Sequence, residues 1–129
     1  MVEKDWITAA GLRAVCYIAS LGGHQHHRNG YVLVPRQHPL FGMDYNYVDA
    51  AVHGGLTYSS AANGYPVESE EGTWFGFDCA HFNDGIIDTS GPFNKWNLGG
   101  GEAKTLEFVV HECEHLAAQF ATYKTTLVQ

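Results

Sequence analysis

The C-terminal part of the chain carries the pattern that most constrains the fold. Its apolar residues recur at spacings of three and four, which is the periodicity of an amphipathic helix. These residues are Leu106, Val109, Val110, Cys113, Ala117 and Phe120. A helix with one apolar face has to bury that face against another layer of structure. The rest of the sequence must therefore supply a second layer.

A similar spacing near the N-terminus predicts another helix. Asp5 is a residue type that caps helix N-termini, and Gly22 and Gly23 are typical of helix ends. The apolar positions of this segment are Ile7, Ala10, Ala14, Val15, Ile18 and Leu21. We therefore expect a helix that begins after Asp5 and ends at Gly22.

Short runs of β-branched and aromatic residues predict strands. They are Tyr31–Val34, Leu56–Ser59 and Thr73–Asp78. A chain of 129 residues has room for a single domain, which we assign to residues 1–129. We predict an α+β fold, in which a small, mostly antiparallel sheet is bracketed by N-terminal and C-terminal amphipathic helices.

Composition and charge narrow the class of protein. Seven basic and fourteen acidic residues give a formal net charge of −7. This balance disfavours direct nucleic-acid binding, because phosphates need a basic surface.

The apolar stretches are too short to span a membrane, and the N-terminus lacks the pattern of a signal peptide. Cys16, Cys79 and Cys113 contain no CxxC pair and predict no disulfide framework. We expect a cytoplasmic protein.

The segment His111–His115 (HECEH) satisfies the zinc-protease pattern HExxH and also its inverted form HxxEH. Only fourteen residues follow His115, and none of them is His, Asp, Glu or Cys, so no third ligand lies downstream. At about 100° per residue, both histidines point away from the apolar stripe. We therefore interpret the segment as a solvated helix face with incidental metal affinity.

Two other stretches place titratable side chains where predicted strands meet loops, which is where sites are commonly built. They are His53–Tyr58 (HGGLTY) and Phe77–Asp84 (FDCAHFND). Asp78, His81 and Asp84 are spaced by three and would share one side of a helical turn. Together with His53 they form a set of two imidazoles and two carboxylates, which suits Zn²⁺, Mn²⁺ or Fe²⁺. Metal binding by these four residues is one hypothesis.

Other roles for these stretches stay open. Cys79 could act as a thiolate nucleophile activated by His53 or His81, and Thr57 and Tyr58 could donate hydrogen bonds to a polar ligand. In a purely structural interpretation, Asp78 caps a turn, His81 bonds to the backbone and Cys79 packs inside. The tract after the first predicted helix adds two candidate ligand-binding residues, His27 and Arg28, next to the strand at Tyr31–Val34.

The strings HGGLTY (His53–Tyr58) and GFDCAH (Gly76–His81) resemble a family of small bacteriophage and prophage proteins. The similarity extends to Ala10–Val15 and to further upstream positions. These are His27 and Arg28 before Gly30–Val32, and His38 and Pro39 with Gly42, Asp44 and Tyr45. Where Asn83 stands, the family usually has glycine. The resemblance implies phage origin, residence in the host bacterial cytoplasm, and shared importance of His53, Thr57, Asp78, Cys79, His81 and Asp84. It implies no particular activity.

Two classes of function are compatible with these patterns. The first is a metal-dependent hydrolase or small-ligand-binding protein, in which the metal ion lowers the pKa of a bound water. The second is a phage accessory protein without enzymatic activity, acting in counter-defence or host takeover by binding a host protein. The acidic stretch Glu68–Glu71 and the aromatic residues around Phe93 and Trp96 would form its binding surface.

Overall fold

A computed structural model describes residues 1–81, 84–88, 95–96 and 103–123. This part of the chain forms seven strands, a short 3₁₀ helix at Tyr45–Tyr47 and one α-helix. In chain order, the strands and the helix are β1 (Val2–Ile7), β2 (Arg13–Gly22), β3 (Gln25–Pro35), β4 (Tyr58–Ala61), β5 (Gly72–Asp78), β6 (Ile86–Asp88), β7 (Lys95–Trp96) and α1 (Leu106–Ala121).

The strands form one sheet in the order β1-β2-β3-β5-β4, with β6 paired to β3 and β7 paired to β6. Every pairing among the described strands is antiparallel. The central strand β3 pairs with β2 along one side and with β5 along the other. Its register places Asn29 opposite Asp78, the last residue of β5. The chain that follows Asp78 therefore leaves the sheet beside the middle of β3.

Helix α1 covers one face of the sheet, which confirms the predicted C-terminal helix. Its buried residues Val109, Cys113, Leu116, Ala117 and Phe120 join a core with Ala14, Cys16, Val32, Val34, Phe75 and Phe77. The helix begins after Thr105, whose hydroxyl accepts a hydrogen bond from the Phe108 amide at 3.0 Å. At its C-terminal end, the ring of His38 bonds to the Phe120 carbonyl at 2.7 Å.

The opposite face of the sheet is aromatic. Its buried residues are Val15, Tyr31, Leu33 and Trp74, and the partly buried side chains of Tyr17, Tyr58, Ala62, Tyr65 and Val67 pack against them. Several of these come from the loop between β4 and β5, so this loop covers the second face. The central strands are consequently buried on both sides.

The predicted N-terminal helix is wrong, because this segment forms the hairpin β1–β2. Ala14, Val15 and Cys16 are successive residues of β2, and all three are fully buried. Ala14 and Cys16 belong to the core under α1, whereas Val15 belongs to the aromatic face. A strand covered on both faces has apolar residues at consecutive positions, so its pattern also satisfies helical spacing.

The remaining strand predictions hold with small shifts. Tyr31–Val34 lies within β3 and Thr73–Asp78 within β5, whereas the strand expected at Leu56–Ser59 begins at Tyr58. Asp5 caps no helix; its carboxylate accepts hydrogen bonds from Arg13 across the β1–β2 pair at 2.8 and 3.0 Å. The α+β class and the antiparallel sheet are therefore confirmed, with a helix on the C-terminal side alone in the described part.

Candidate metal centre

Just beyond the end of β5, the structure brings together His53, His81 and Asp84. The Nε2 atom of His53 lies 3.0 Å from each carboxylate oxygen of Asp84. The Nδ1 atom of His81 lies 3.4 Å from the Oδ2 atom of the same carboxylate. One nitrogen or oxygen of each residue lies within 4.8 Å of those of the other two. We call these three residues the HHD cluster.

The turn after β5 holds two members of the HHD cluster. The Asp84 amide donates to the His81 carbonyl at 2.9 Å, and the His81 amide donates to the Asp84 carboxylate at 3.1 Å. The turn is attached to the sheet by the Cys79 amide, which donates to the Arg28 carbonyl at 2.9 Å. These three bonds hold the His81 ring next to the Asp84 carboxylate.

His53 reaches the cluster from the loop before β4 and is held there by α1. Its amide donates to the Glu112 carboxylate at 2.8 Å. Its ring packs against the Phe108 ring in a T-shaped arrangement, with ring centroids 5.2 Å apart. The next residue, Gly54, has a left-handed φ of +68°, and a Cβ atom there would overlap the His81 ring. Glycine is therefore required at position 54 both by backbone conformation and by space.

The Asp84 carboxylate is the buried centre of the cluster, with a side chain only 3% exposed. Burial opposes its ionisation, but the hydrogen bonds from the His53 ring and the His81 amide favour the charged form. The hydrogen bonds outweigh the effect of burial and hold the pKa of Asp84 below its ordinary value. The cluster therefore contains a carboxylate that is ionised at neutral pH, next to two imidazoles.

One nitrogen of the cluster has no hydrogen-bond partner among the described residues. The Nδ1 atom of His81 is buried, although the side chain as a whole is 37% exposed. It lies 3.5 Å from Asp78 and 3.4 Å from Asp84, and neither contact has hydrogen-bond geometry. A buried polar atom of this kind calls for an explanation such as an ion or a water molecule.

The HHD cluster could hold a metal ion. Zinc binds histidine nitrogen and carboxylate oxygen at about 2.0–2.2 Å, so ligand atoms on a tetrahedron lie about 3.3 Å apart. The distances of 3.0 Å and 3.4 Å from Asp84 to the two imidazoles are close to this value. Two imidazoles with one carboxylate also suit Mn²⁺ and Fe²⁺. The donor set therefore fits a divalent transition metal.

Asp78, the fourth predicted ligand, lies beside the cluster rather than within it. One of its oxygens accepts hydrogen bonds from the Ala80 amide at 3.0 Å, and the other accepts from the Thr57 hydroxyl at 3.2 Å. Its side chain is 30% exposed. Asp78 and Thr57 thus form a hydrogen-bonded polar pair next to the His81 ring.

The other predicted site residues have separate places in the fold. Tyr58 packs on the aromatic face against Tyr31 and Tyr65. Cys79 is 1% exposed, and burial, followed by the charges of Asp84 and Asp78, raises the pKa of its thiol to about 12. A thiol with this pKa is protonated at neutral pH, which does not favour the nucleophile hypothesis.

His27 and Arg28, the two candidate ligand-binding residues before Tyr31, lie within strand β3. The Nδ1 atom of His27 is buried and has no hydrogen-bond partner in the described ranges. Arg28 forms a bidentate ion pair with Glu3, with N–O distances of 2.7 and 2.9 Å. It also donates to the Lys104 carbonyl at 2.8 Å. Arg28 therefore connects β1, β3 and the segment before α1.

The HECEH segment is a structural part of α1. His111 and His115 are exposed, whereas Cys113 is buried in the core. Glu112 accepts the His53 amide, and Glu114 accepts the Trp6 indole at 2.8 Å and the Ala9 amide at 2.9 Å. Both glutamates of the zinc-protease pattern are thus used to attach other segments to the helix.

The sequence patterns did not indicate three residues that shape the site. They are Lys104, whose ammonium lies 3.8 Å from Asp84, and the two α1 residues that hold His53, which are Phe108 and Glu112. Their contacts with the cluster span long sequence separations, which local spacing does not encode. Glu112 was visible only as part of the HECEH pattern.

Some predicted features fall outside the described residues. These are Asn83, Phe93 and the side chain of Trp96. Within the acidic stretch, Glu70 lies 3.5 Å from Arg13 and Glu71 lies 3.7 Å from Arg36. Binding of a host protein through this stretch stays a prediction.

Comparison of the chain with protein-family models, curated proteins and solved structures finds no match. The phage origin implied by HGGLTY and GFDCAH therefore stays a prediction. Within the described part of the chain, no helix is both long and apolar enough to cross a membrane.

Proposed function

We propose that this protein binds one divalent metal ion through His53, His81 and Asp84 and uses it to hydrolyse a small polar substrate. The observation that carries the proposal is the HHD cluster itself, with ligand atoms from distant parts of the chain within 4.8 Å of one another. The buried Nδ1 atom of His81, which lacks a hydrogen-bond partner among the described residues, supports it.

The number of ligands that the described residues supply suits catalysis. Structural zinc sites are filled by four protein ligands, whereas catalytic sites use three and leave a position for water or substrate. A metal ion held by His53, His81 and Asp84 would lower the pKa of a bound water and so supply a nucleophile at neutral pH. With one carboxylate and two neutral imidazoles as ligands, the ion would keep a net positive charge.

Asp78 is placed to act beside such a site. Its carboxylate lies 3.5 Å from the His81 ring and is oriented by the Thr57 hydroxyl and the Ala80 amide. A carboxylate that is held but still 30% exposed can accept a proton from a water molecule or a substrate. We assign to Asp78 the role of general base and to Thr57 that of positioning it.

The test is metal content and metal affinity in untagged protein. The wild type, incubated with Zn²⁺ or Mn²⁺ and desalted, should retain about one ion per chain by elemental analysis. The His81→Ala variant should lose it. The matched control is His111→Ala, which removes an exposed histidine of α1 and should retain the ion.

Thermal unfolding of each variant separates loss of the site from loss of the fold. If His81→Ala fails to fold, Asp84→Asn supplies the same test, because it keeps the size of the side chain while removing its charge. Absence of bound metal in the wild type, or equal loss in His111→Ala, would contradict the proposal.

A further inference from the structure

Lys104 is the cation nearest to the HHD cluster among the described residues, and its side chain is held in place. Its ammonium lies 3.8 Å from the Oδ1 atom of Asp84. It also lies 5.2 Å from the centroid of the Phe108 ring, the same ring that packs against His53. The side chain is 30% exposed, so it borders both the cluster and solvent.

The backbone of Lys104 is fixed as well. Its carbonyl accepts a hydrogen bond from Arg28 at 2.8 Å, and Glu3 holds that guanidinium by two further bonds. The Arg28 and Glu3 side chains are 17% and 23% exposed. The carbonyl of Arg28 accepts the Cys79 amide at the start of the turn that carries His81 and Asp84. One arginine thus attaches both Lys104 and the HHD cluster to the sheet.

The charge near Lys104 would change when a metal ion binds to the HHD cluster. Without an ion, its ammonium balances the Asp84 carboxylate. A divalent ion on Asp84 and two neutral imidazoles would leave a net charge of about +1. Lys104 would add one positive charge, and the Asp78 carboxylate 3.5 Å from the His81 ring would remove one, so the net charge would stay at about +1. The chain as a whole carries −7 and repels anions. The loaded cluster and Lys104 would therefore form a local positive site on an acidic protein.

We propose that Lys104 and the ion at the HHD cluster together bind a small oxyanion, which is a phosphate or carboxylate group of the substrate. This inference rests on the metal site proposed above and names the substrate class for that same site. A lysine ammonium binds such oxygens as a point charge, and a metal ion beside it can hold another oxygen of the same group.

The probes are inorganic phosphate and acetate, titrated separately at constant ionic strength into protein loaded with one equivalent of metal and desalted. We expect one of them to bind the wild type, and Lys104→Met to weaken that binding about tenfold or more. Lys104→Arg should restore part of the loss, because it keeps the charge. Phosphate binding would indicate a phosphoryl substrate, and acetate binding a carboxylate substrate.

The matched control is Lys4→Met, since Lys4 also lies 5.2 Å from an aromatic ring, that of Trp6. It should bind the probe like the wild type. Normal metal loading with no binding of either probe, or with equal binding by Lys104→Met, would overturn this inference alone. Failure of the wild type to load metal would overturn the proposed function as well. Metal content and thermal unfolding of Lys104→Met show whether the variant keeps the site and the fold.

Discussion

Two regions of this protein each contain two histidines and two carboxylates, and the structure uses them differently. In HECEH the four residues lie within little more than one turn of one helix. The histidines are nevertheless exposed, and each glutamate binds a different segment. In the HHD cluster and its neighbour Asp78, the residues come from segments up to 31 positions apart. These distant residues converge, whereas the adjacent ones do not act together.

The difference lies in the environment of the carboxylates. Asp84 is 3% exposed, and a buried charge is stable only when donors or cations surround it. The fold satisfies it with His53, the His81 amide and Lys104. On α1, the exposed histidines need no partner beyond water. Burial of an ionised group with converging imidazoles therefore indicates a site more strongly than helical spacing does.

The largest effect is expected from Gly54→Ala. This variant tests whether the position of the His81 ring is what allows the HHD cluster, unlike HECEH, to bind a metal ion. A methyl group at position 54 would overlap that ring, and the left-handed backbone adds strain. We expect metal affinity to fall about a hundredfold and the free energy of unfolding to fall by about 2 kcal/mol. Titration calorimetry and chemical denaturation measure the two.

Gly55→Ala is the matched control for that substitution. Gly55 has a similar φ of +82°, but a Cβ atom there would meet open space. It should lower stability by about 1 kcal/mol through backbone strain and leave metal affinity unchanged. Equal metal affinity in the two variants would show that the His81 ring has no part in binding.

Local sequence patterns were sufficient to predict helix α1 and strand β5. The stripe on α1 was sufficient because one face of that helix packs and the other is solvated. The strand from Gly72 to Asp78 was recognised by its aromatic residues. The N-terminal hairpin was not, because β2 is buried on both faces and its run of Ala14, Val15 and Cys16 fits either periodicity.

The site shows the same limit. Spacing placed Asp78, His81 and Asp84 near one another, since a single turn connects them. It did not separate the buried Asp84 from the half-exposed Asp78, because this difference depends on packing against His53 and Lys104. The convergence of His53 depends on Glu112, 59 positions away, which no local pattern encodes.

Substitution of the two glutamates of HECEH should have effects of intermediate size on metal affinity and stability. Glu112→Ala removes the acceptor of the His53 amide and should weaken metal affinity about tenfold, because the ligand loses its support. Glu112→Gln should recover most of it, since an amide oxygen can accept the same bond. Glu114→Ala removes the acceptor of Trp6 and Ala9 and should lower stability by about 2 kcal/mol with unchanged metal affinity. If Glu114→Ala lost the metal ion and Glu112→Ala kept it, we would conclude that the ion binds at HECEH and not at the HHD cluster.

The smallest effect concerns the ion pair that supports the cluster and Lys104. The hydrogen bond from Arg28 lowers the pKa of Glu3 below its ordinary value of 4.5. Burial of Glu3 opposes this shift, and the positive charge of Arg28 adds to it. A carboxyl with a lowered pKa in the folded state stabilises the protein above pH 4.5, and this contribution is lost as pH falls through the folded-state pKa. Glu3→Gln should therefore cost about 1–2 kcal/mol at pH 7 and progressively less below pH 4.5.

Urea denaturation of metal-free protein across pH 3 to 7 measures this difference. Glu68→Gln, an exposed carboxyl in the β4–β5 loop, should change stability by less than about 0.5 kcal/mol throughout. A constant difference between wild type and Glu3→Gln down to pH 3 would mean that Glu3 acts by packing rather than by charge. Loss of metal affinity in Glu3→Gln, without loss of fold, would extend the support of the HHD cluster to β1. It would also deepen the contrast with HECEH, whose histidines are exposed.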